Sequence, residues 1–316
     1  MLDGHPFALC LTHDVDRPYK NYRGLYRAVT ERSPYHLRTA LPGQNPYWRF
    51  EDVMALEEEL GVRSAFYFLR EDRLRDRPLR TWLSPRTWRR YAGRYRLSDP
   101  AVVDVVRALD DGGWEVGLHG SFESYTSVER LRDEKTALES VLGHPVVGGR
   151  QHYLNLEIPE TWRYHARIGL RYDTSLGSST RYGFHHGYRP LRPFDDEFLV
   201  FPLTVMENAL VEGRDERRVW EECESLLAEA AEHGAVMTVL WHQSCFSERD
   251  YPGYGETYRR LVERAIEMGA WVGPPGDLYD RLDLGADRPS EIRTGTGEPR
   301  ENHHGPETES STPRRE

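Results

Sequence analysis

The residues THDVD place His13, Asp14 and Asp16 directly after the apolar run FALCL. On a strand, Asp14 and Asp16 share a face, with Val15 opposite. Carboxylates that close together repel unless a cation or an arginine sits between them. Four later stretches could contribute to such a site. His119, in HGSFESY, has Glu123 four residues on, a spacing that puts both on one side if a helical turn begins there. Imidazole and carboxylate are ordinary ligands of zinc and other divalent ions. Arg150 and His152 lie in RQHY. An arginine there could hold a catalytic carboxylate ionised through a bidentate pair, and the two-residue spacing lets His152 face the same cavity. Asp173 ends IGLRYD and His242 ends VMTVLW. A carboxylate beside an imidazole fixes its tautomer and raises its pKa, as a general acid needs. The sequence leaves open whether those two are neighbours. The plainer readings are turn or helix-capping aspartates and hydrogen-bonded strand-end histidines.

These residues recur at the ends of apolar runs. Residues 7–16 read as a strand, and FEDVMALEEELG as a helix with Phe50, Val53, Leu56 and Leu60 on one face and Gly61 as its stop. Strands are expected at 65–69, 114–118, 146–150, 170–172, 198–202, 235–241 and 270–272. Helices are expected at 99–109, 128–142, 159–168, 217–232 and 255–268. Residues 16–47 read as a polar excursion over the site, with a short helix near 25–30. Residues 70–97, rich in arginine and aromatics, read as an insertion or surface loop, and 177–196 as a loop. Seven or eight such strand–helix cycles predict an α/β parallel barrel, which gathers side chains from separate strand ends on one face.

The 316 residues suit one large domain, taken as 1–284, with a polar tail at 285–316 that reads as disordered. His303 and His304 in that tail read as inert. A net charge of -10 argues against a nucleic-acid partner. Lys20 and Lys135 are the only lysines, so the basic charge is carried almost wholly by arginine. Cys10, Cys223 and Cys245 have no spacing that suggests a disulfide framework or a thiolate zinc site. No signal peptide and no bilayer-spanning run are recognised, and a cytoplasmic location is expected.

Taken in order, LTHDVD, LHGSFES, GGRQHY, YDTS and LWH resemble the five motifs of the NodB-like polysaccharide deacetylases, carbohydrate esterase family 4, over residues 7–272. With GFHHGYRPLRPFD they resemble a bacterial and archaeal branch often associated with surface-glycan genes. The resemblance implies a deformed (β/α)7–8 barrel and a divalent metal ion, zinc first. It implies a metal-dependent hydrolase that removes acetyl groups, by C–N amide cleavage, from an amino sugar or a surface-polysaccharide precursor. Carried over, Asp14 is the general base, Arg150 its brace and His242 the general acid, with Asp173 in the fourth motif. His119 is the first metal histidine. Asp16 takes the place of the family's second aspartate, displaced by one residue because Val15 follows Asp14. Glu123 stands where the second histidine would be, so Glu123 or His152 completes the metal site. Tyr19, Tyr22, Tyr47, Trp48 and Tyr153 could stack on sugar rings or pack over the barrel rim, and Trp241 is expected in the pocket wall. Two other readings fit the same residues: a catalytically silent barrel that binds a glycan or partner, and an amidase acting on a small non-sugar substrate.

Overall fold

In the computed structural model, residues 4–20, 28, 32–39, 45–194 and 197–282 are described. Tyr22, Asp196, the tail with His303 and His304, and all but residue 28 of the helix expected at 25–30 lie outside the described residues.

Strands β1 (Ala8–Val15), β2 (Ala65–Leu69), β3 (Glu115–Gly120), β4 (Gly148–Gln151), β5 (Tyr172–Asp173), β6 (Leu199–Val200), β7 (Leu203–Met206), β8 (Val236–Leu240) and β9 (Trp271–Gly273) pair in the order β6-β5-β4-β3-β2-β1-β8-β7. All of these pairings are parallel. β9 adds to the first half of β1, through Ala8–Cys10, while β2 pairs with its second half. The two ends of the order, β6 and β7, are separated in sequence only by Phe201 and Pro202. The sheet therefore curls until both ends meet in one extended segment. Pro202 has no N–H for a ladder, which is why the segment is interrupted there. Sequence periodicity stops the strand at this proline, and LTVM beyond it is a further, unexpected strand.

β2 and β8 are buried along their whole length, so they read as near-continuous apolar runs. Ala8, Cys10, Ala65, Tyr67, Tyr172, Phe201 and Val236 fill the interior, and Leu278 and Tyr279 of the helix Pro275–Arg281 pack against them. The alternate side chains Phe7, Leu9 and Leu11 pack outward against helices Glu216–His233 and Tyr254–Glu267, and Phe66 and Phe68 against Phe50–Glu59 and Pro100–Asp111. Helices Val128–Leu142 and Glu160–Arg167 continue the outer layer. This is the expected deformed barrel of curled parallel strands with flanking helices. Residues 70–97 form two 3-10 turns, Leu74–Asp76 and Leu79–Leu83, and a helix, Pro85–Tyr91, laid over the rim. Among the described residues no helix is long and apolar enough to cross a membrane.

Candidate active site

Alternation along β1 sends His13 and Asp14 to opposite faces. His13 points outward, where its Nε2 lies 3.0 Å from Glu57 Oε1 and its ring packs on Phe66; it is a core residue. Thr12 and Asp14 point inward. Arg150 of β4, three places away in the sheet, reaches across the interior and donates from Nη1 to Asp14 Oδ1 (2.9 Å) and Thr12 Oγ1 (2.8 Å). Its Nε donates to the Thr174 carbonyl at 3.0 Å. Burial pushes the Asp14 carboxyl up, but the charges of Arg150, His119 and His242 outweigh it and hold the carboxyl below its usual range. Asp14 is therefore an ionised carboxylate with Oδ1 engaged and Oδ2 turned towards His119 Nε2, 3.7 Å away.

Asp16, His119 and His152 come together just beyond these strand ends, with one candidate ligand atom of each within 4.8 Å of the others. Asp16 Oδ1 is 3.1 Å from His119 Nε2 and 3.0 Å from His152 Nδ1, and the two ring nitrogens are 3.2 Å apart. His119 Nδ1 faces the Arg150 carbonyl at 2.9 Å, which fixes the tautomer that leaves Nε2 free to bind a cation, the usual outer support of a metal histidine. His152 is held differently: its Nε2 accepts from Arg94 Nη2 at 2.8 Å, so in the neutral ring the proton sits on Nδ1. Ligation through Nδ1 requires that contact to open and the proton to leave. With that adjustment, two imidazoles and a carboxylate suit a divalent ion.

Electrostatics support the grouping. Burial pulls the His152 pKa down to about 3, helped by Arg94 and His119 and opposed by Asp16. The Asp16 carboxyl, despite burial, is held well below its ordinary range by the charge of His152 and hydrogen bonds from both histidines, His119 donating from Nε2 when its ring is protonated. His119 is raised, because Asp14 and Asp16 overcome its burial.

Across the same cavity, of about 300 Å³, stands His242. Its Nδ1 hydrogen-bonds Glu207 Oε1 at 2.6 Å, and its Nε2 is 3.9 Å from Asp16 Oδ2. Burial would lower its pKa, but the charge and hydrogen bond of Glu207, with Asp16 and Asp14, push it up to about 10. Glu207 follows β7 directly, so it obeys the same strand-end rule as the others; losing β7 at Pro202 concealed it.

Three expectations need correcting. Glu123 does not join the metal cluster: β3 runs on through Gly120, no α-helical turn begins at His119, and the Glu123 carboxylate instead meets Arg77 (3.3 Å), Arg130 (3.0 Å) and the Tyr91 hydroxyl (3.1 Å). Asp173 does not line the cavity. It is buried among Trp162, Ser175 and His165, accepting from Trp162 Nε1 at 3.1 Å and the Ser175 amide at 2.9 Å. Trp241 lies in the outer core against Tyr254 and Tyr258, not in the pocket wall. Of the aromatic residues, Tyr47 and Tyr153 line the cavity, whereas Tyr19 and Trp48 pack on each other.

No protein-family model matches the chain, and no curated protein does. Solved structures do. A protein of Mycobacterium smegmatis assigned to the polysaccharide deacetylases aligns with a TM-score of 0.60 at 16% identity, covering 92% of this chain and 95% of that one. The chain shares its fold. A Pseudomonas aeruginosa PAO1 protein with the same assignment gives a TM-score of 0.56 at 13% identity, over 87% and 90% of the two chains. Puue allantoinase gives 0.54 at 15% identity, over 87% and 90%. Identities this low establish architecture, and they leave the chemistry to be argued from the side chains.

Proposed function

We propose that this chain is a metal-dependent hydrolase that removes the acetyl group from the nitrogen of an amino sugar or a surface-polysaccharide precursor, within the branch that LTHDVD and RQHY resemble. The observation that carries the reading is a pair of oppositely tuned groups on one cavity. Asp14 is kept ionised beside Arg150, His242 is kept protonated beside Glu207, and Asp16, His119 and His152 bridge them. Asp16, His119 and His152 would hold a divalent cation, zinc first, which would supply Lewis acidity for the water and the acyl oxygen.

Asp14 takes the proton of the attacking water on Oδ2, the oxygen that Arg150 leaves open. His242 gives the proton on Nε2 to the departing amine, while Glu207 holds Nδ1–H and keeps the ring oriented. Arg150 lowers the cost of keeping Asp14 charged while buried. A cavity of about 300 Å³ lies at the small end of ligand sites, which suits one acylated sugar unit.

The test is acetate release from N-acetylated sugars with zinc, cobalt or manganese present. Asp14→Asn and His242→Ala should each lower the rate by about 10²-fold or more, the usual value of a general acid or base. Undiminished release in both variants would sink the assignment. The small cavity also admits a second reading, an amidase acting on a small non-sugar substrate, and Puue allantoinase shares the fold. Turnover of small amides with no turnover of acetylated sugars would select it.

A further inference from the structure

We propose that the rim segment 70–97 is a docking surface for an anionic lipid membrane. Charge singles it out. The segment holds ten arginines and only three acidic residues, Glu71, Asp72 and Asp76. That surplus of +7 sits in a chain of net charge -10, leaving -17 for the rest. An anionic surface therefore repels most of the molecule and attracts this face, which orients the encounter.

Apolar exposure falls in the same place. Leu79 is 75% exposed, Leu83 90% and Trp88 45%, and these are three of the seven large apolar side chains exposed among the described residues. Isolated exposed leucines are ordinary, but three within ten residues on a cationic face match the composition of an interfacial anchor, with leucine and tryptophan for the acyl boundary and arginine for the headgroups.

The surface is held in shape. Trp88 Nε1 donates to the Trp82 carbonyl at 2.7 Å, Trp82 Nε1 to the Arg77 carbonyl at 3.2 Å, and the two indoles pack edge to face. Arg77 and Arg130 clamp the segment to the barrel through Asp72 and Glu123. Arg75, Arg80 and Arg96 remain exposed. A second copy of the chain is a poorer occupant, because a two-fold contact would set one cationic patch against another. The segment also borders the candidate site, since its Arg94 donates to the Asp16 carbonyl at 3.1 Å and to His152.

Flotation of the full chain with vesicles tests this. Vesicles of phosphatidylcholine alone should not carry the protein, whereas equimolar phosphatidylcholine and phosphatidylglycerol should, less so as salt is raised. Leu79→Ser with Leu83→Ser, and separately Arg75→Glu with Arg80→Glu, should each reduce partitioning about tenfold or more. These are exposed positions, so folding is expected to survive, and circular dichroism checks it. No flotation with the anionic vesicles, equal flotation with the neutral ones, or binding indifferent to both variants would overturn the proposal. A wild-type dimer lost in the leucine variant would also overturn it, by making the patch a protein contact. Acetate release from a soluble substrate, read in the same variants, should be unchanged. Docking and the hydrolase reading can therefore fail separately.

Discussion

His242 carries two demands at residue scale: it must stay protonated near neutral pH, and it must present Nε2 to the cavity. Glu207 meets both, since its carboxylate sits on Nδ1 and favours the charged ring. A histidine whose folded pKa lies near 10 and whose unfolded value is about 6.5 contributes stability that is whole below pH 6.5 and lost as pH rises through 10. Glu207→Gln should remove most of that contribution, costing about 1.5–3 kcal/mol at neutral pH, as for a hydrogen bond to a charged group. Urea denaturation of metal-free protein between pH 6 and 10 checks it: the wild type should weaken steadily and the variant should not. A parallel decline in both would remove Glu207 from this role. Asp14, Asp16, His119, Arg150, His152 and His242 were legible because each closes or follows an apolar run. Asp173 follows the same rule, and Glu123 stands out by its four-residue spacing from His119, yet both lie outside the cavity. Their side-chain directions depend on how the chain turns beyond β3 and at the end of β5, and on partners that hydrophobic periodicity does not mark: Arg77, Arg130 and Trp162.

Among the elements, the cycle of strand and helix was readable from periodicity and glycine stops, with Ala65–Leu69 and Val128–Leu142 falling where expected. What escaped was β7, because local pattern treats a proline as an end, whereas here the sheet continues past it with new partners on its other side. The close approach of β3 and β4 also leaves only a faint trace, the pair Gly148–Gly149. A Cβ on Gly149 would lie 2.3 Å from the Leu118 carbonyl oxygen, which is backbone and has little freedom to move. Gly149→Ala should force β3 and β4 apart and displace His119 and Arg150, which pair across that very register. Overpacking of this kind costs about 1–3 kcal/mol or more. Thermal melting should show the loss, and cation binding should weaken with it; a variant that melts and binds like the wild type would mean the strands separate without strain.

At the scale of the whole molecule, the candidate ligands join parts of the chain that meet only in the folded barrel: Asp16 after β1, His119 at the end of β3 and His152 after β4. β2 lies between the first two, so a cation held by all three would bind the folded sheet and scarcely the unfolded chain. Such a ligand stabilises by mass action, about 2.7 kcal/mol at a hundredfold excess over its dissociation constant. In a chain of 316 residues that corresponds to a rise of about 4–5 °C in Tm. Zinc, cobalt or manganese should produce the shift, and a chelator should reverse it. Asp16→Asn and His152→Ala should abolish it, and Glu123→Gln, whose carboxylate faces Arg77 and Arg130, should leave it intact. Calorimetric scans with and without metal separate the ligand sets, because loss of the shift in Glu123→Gln with retention in His152→Ala would reverse the assignment. The same scans bear on the silent-barrel alternative: a chain that takes up the ion, melts higher and still releases no acetate would have a metal site used for holding rather than for hydrolysis.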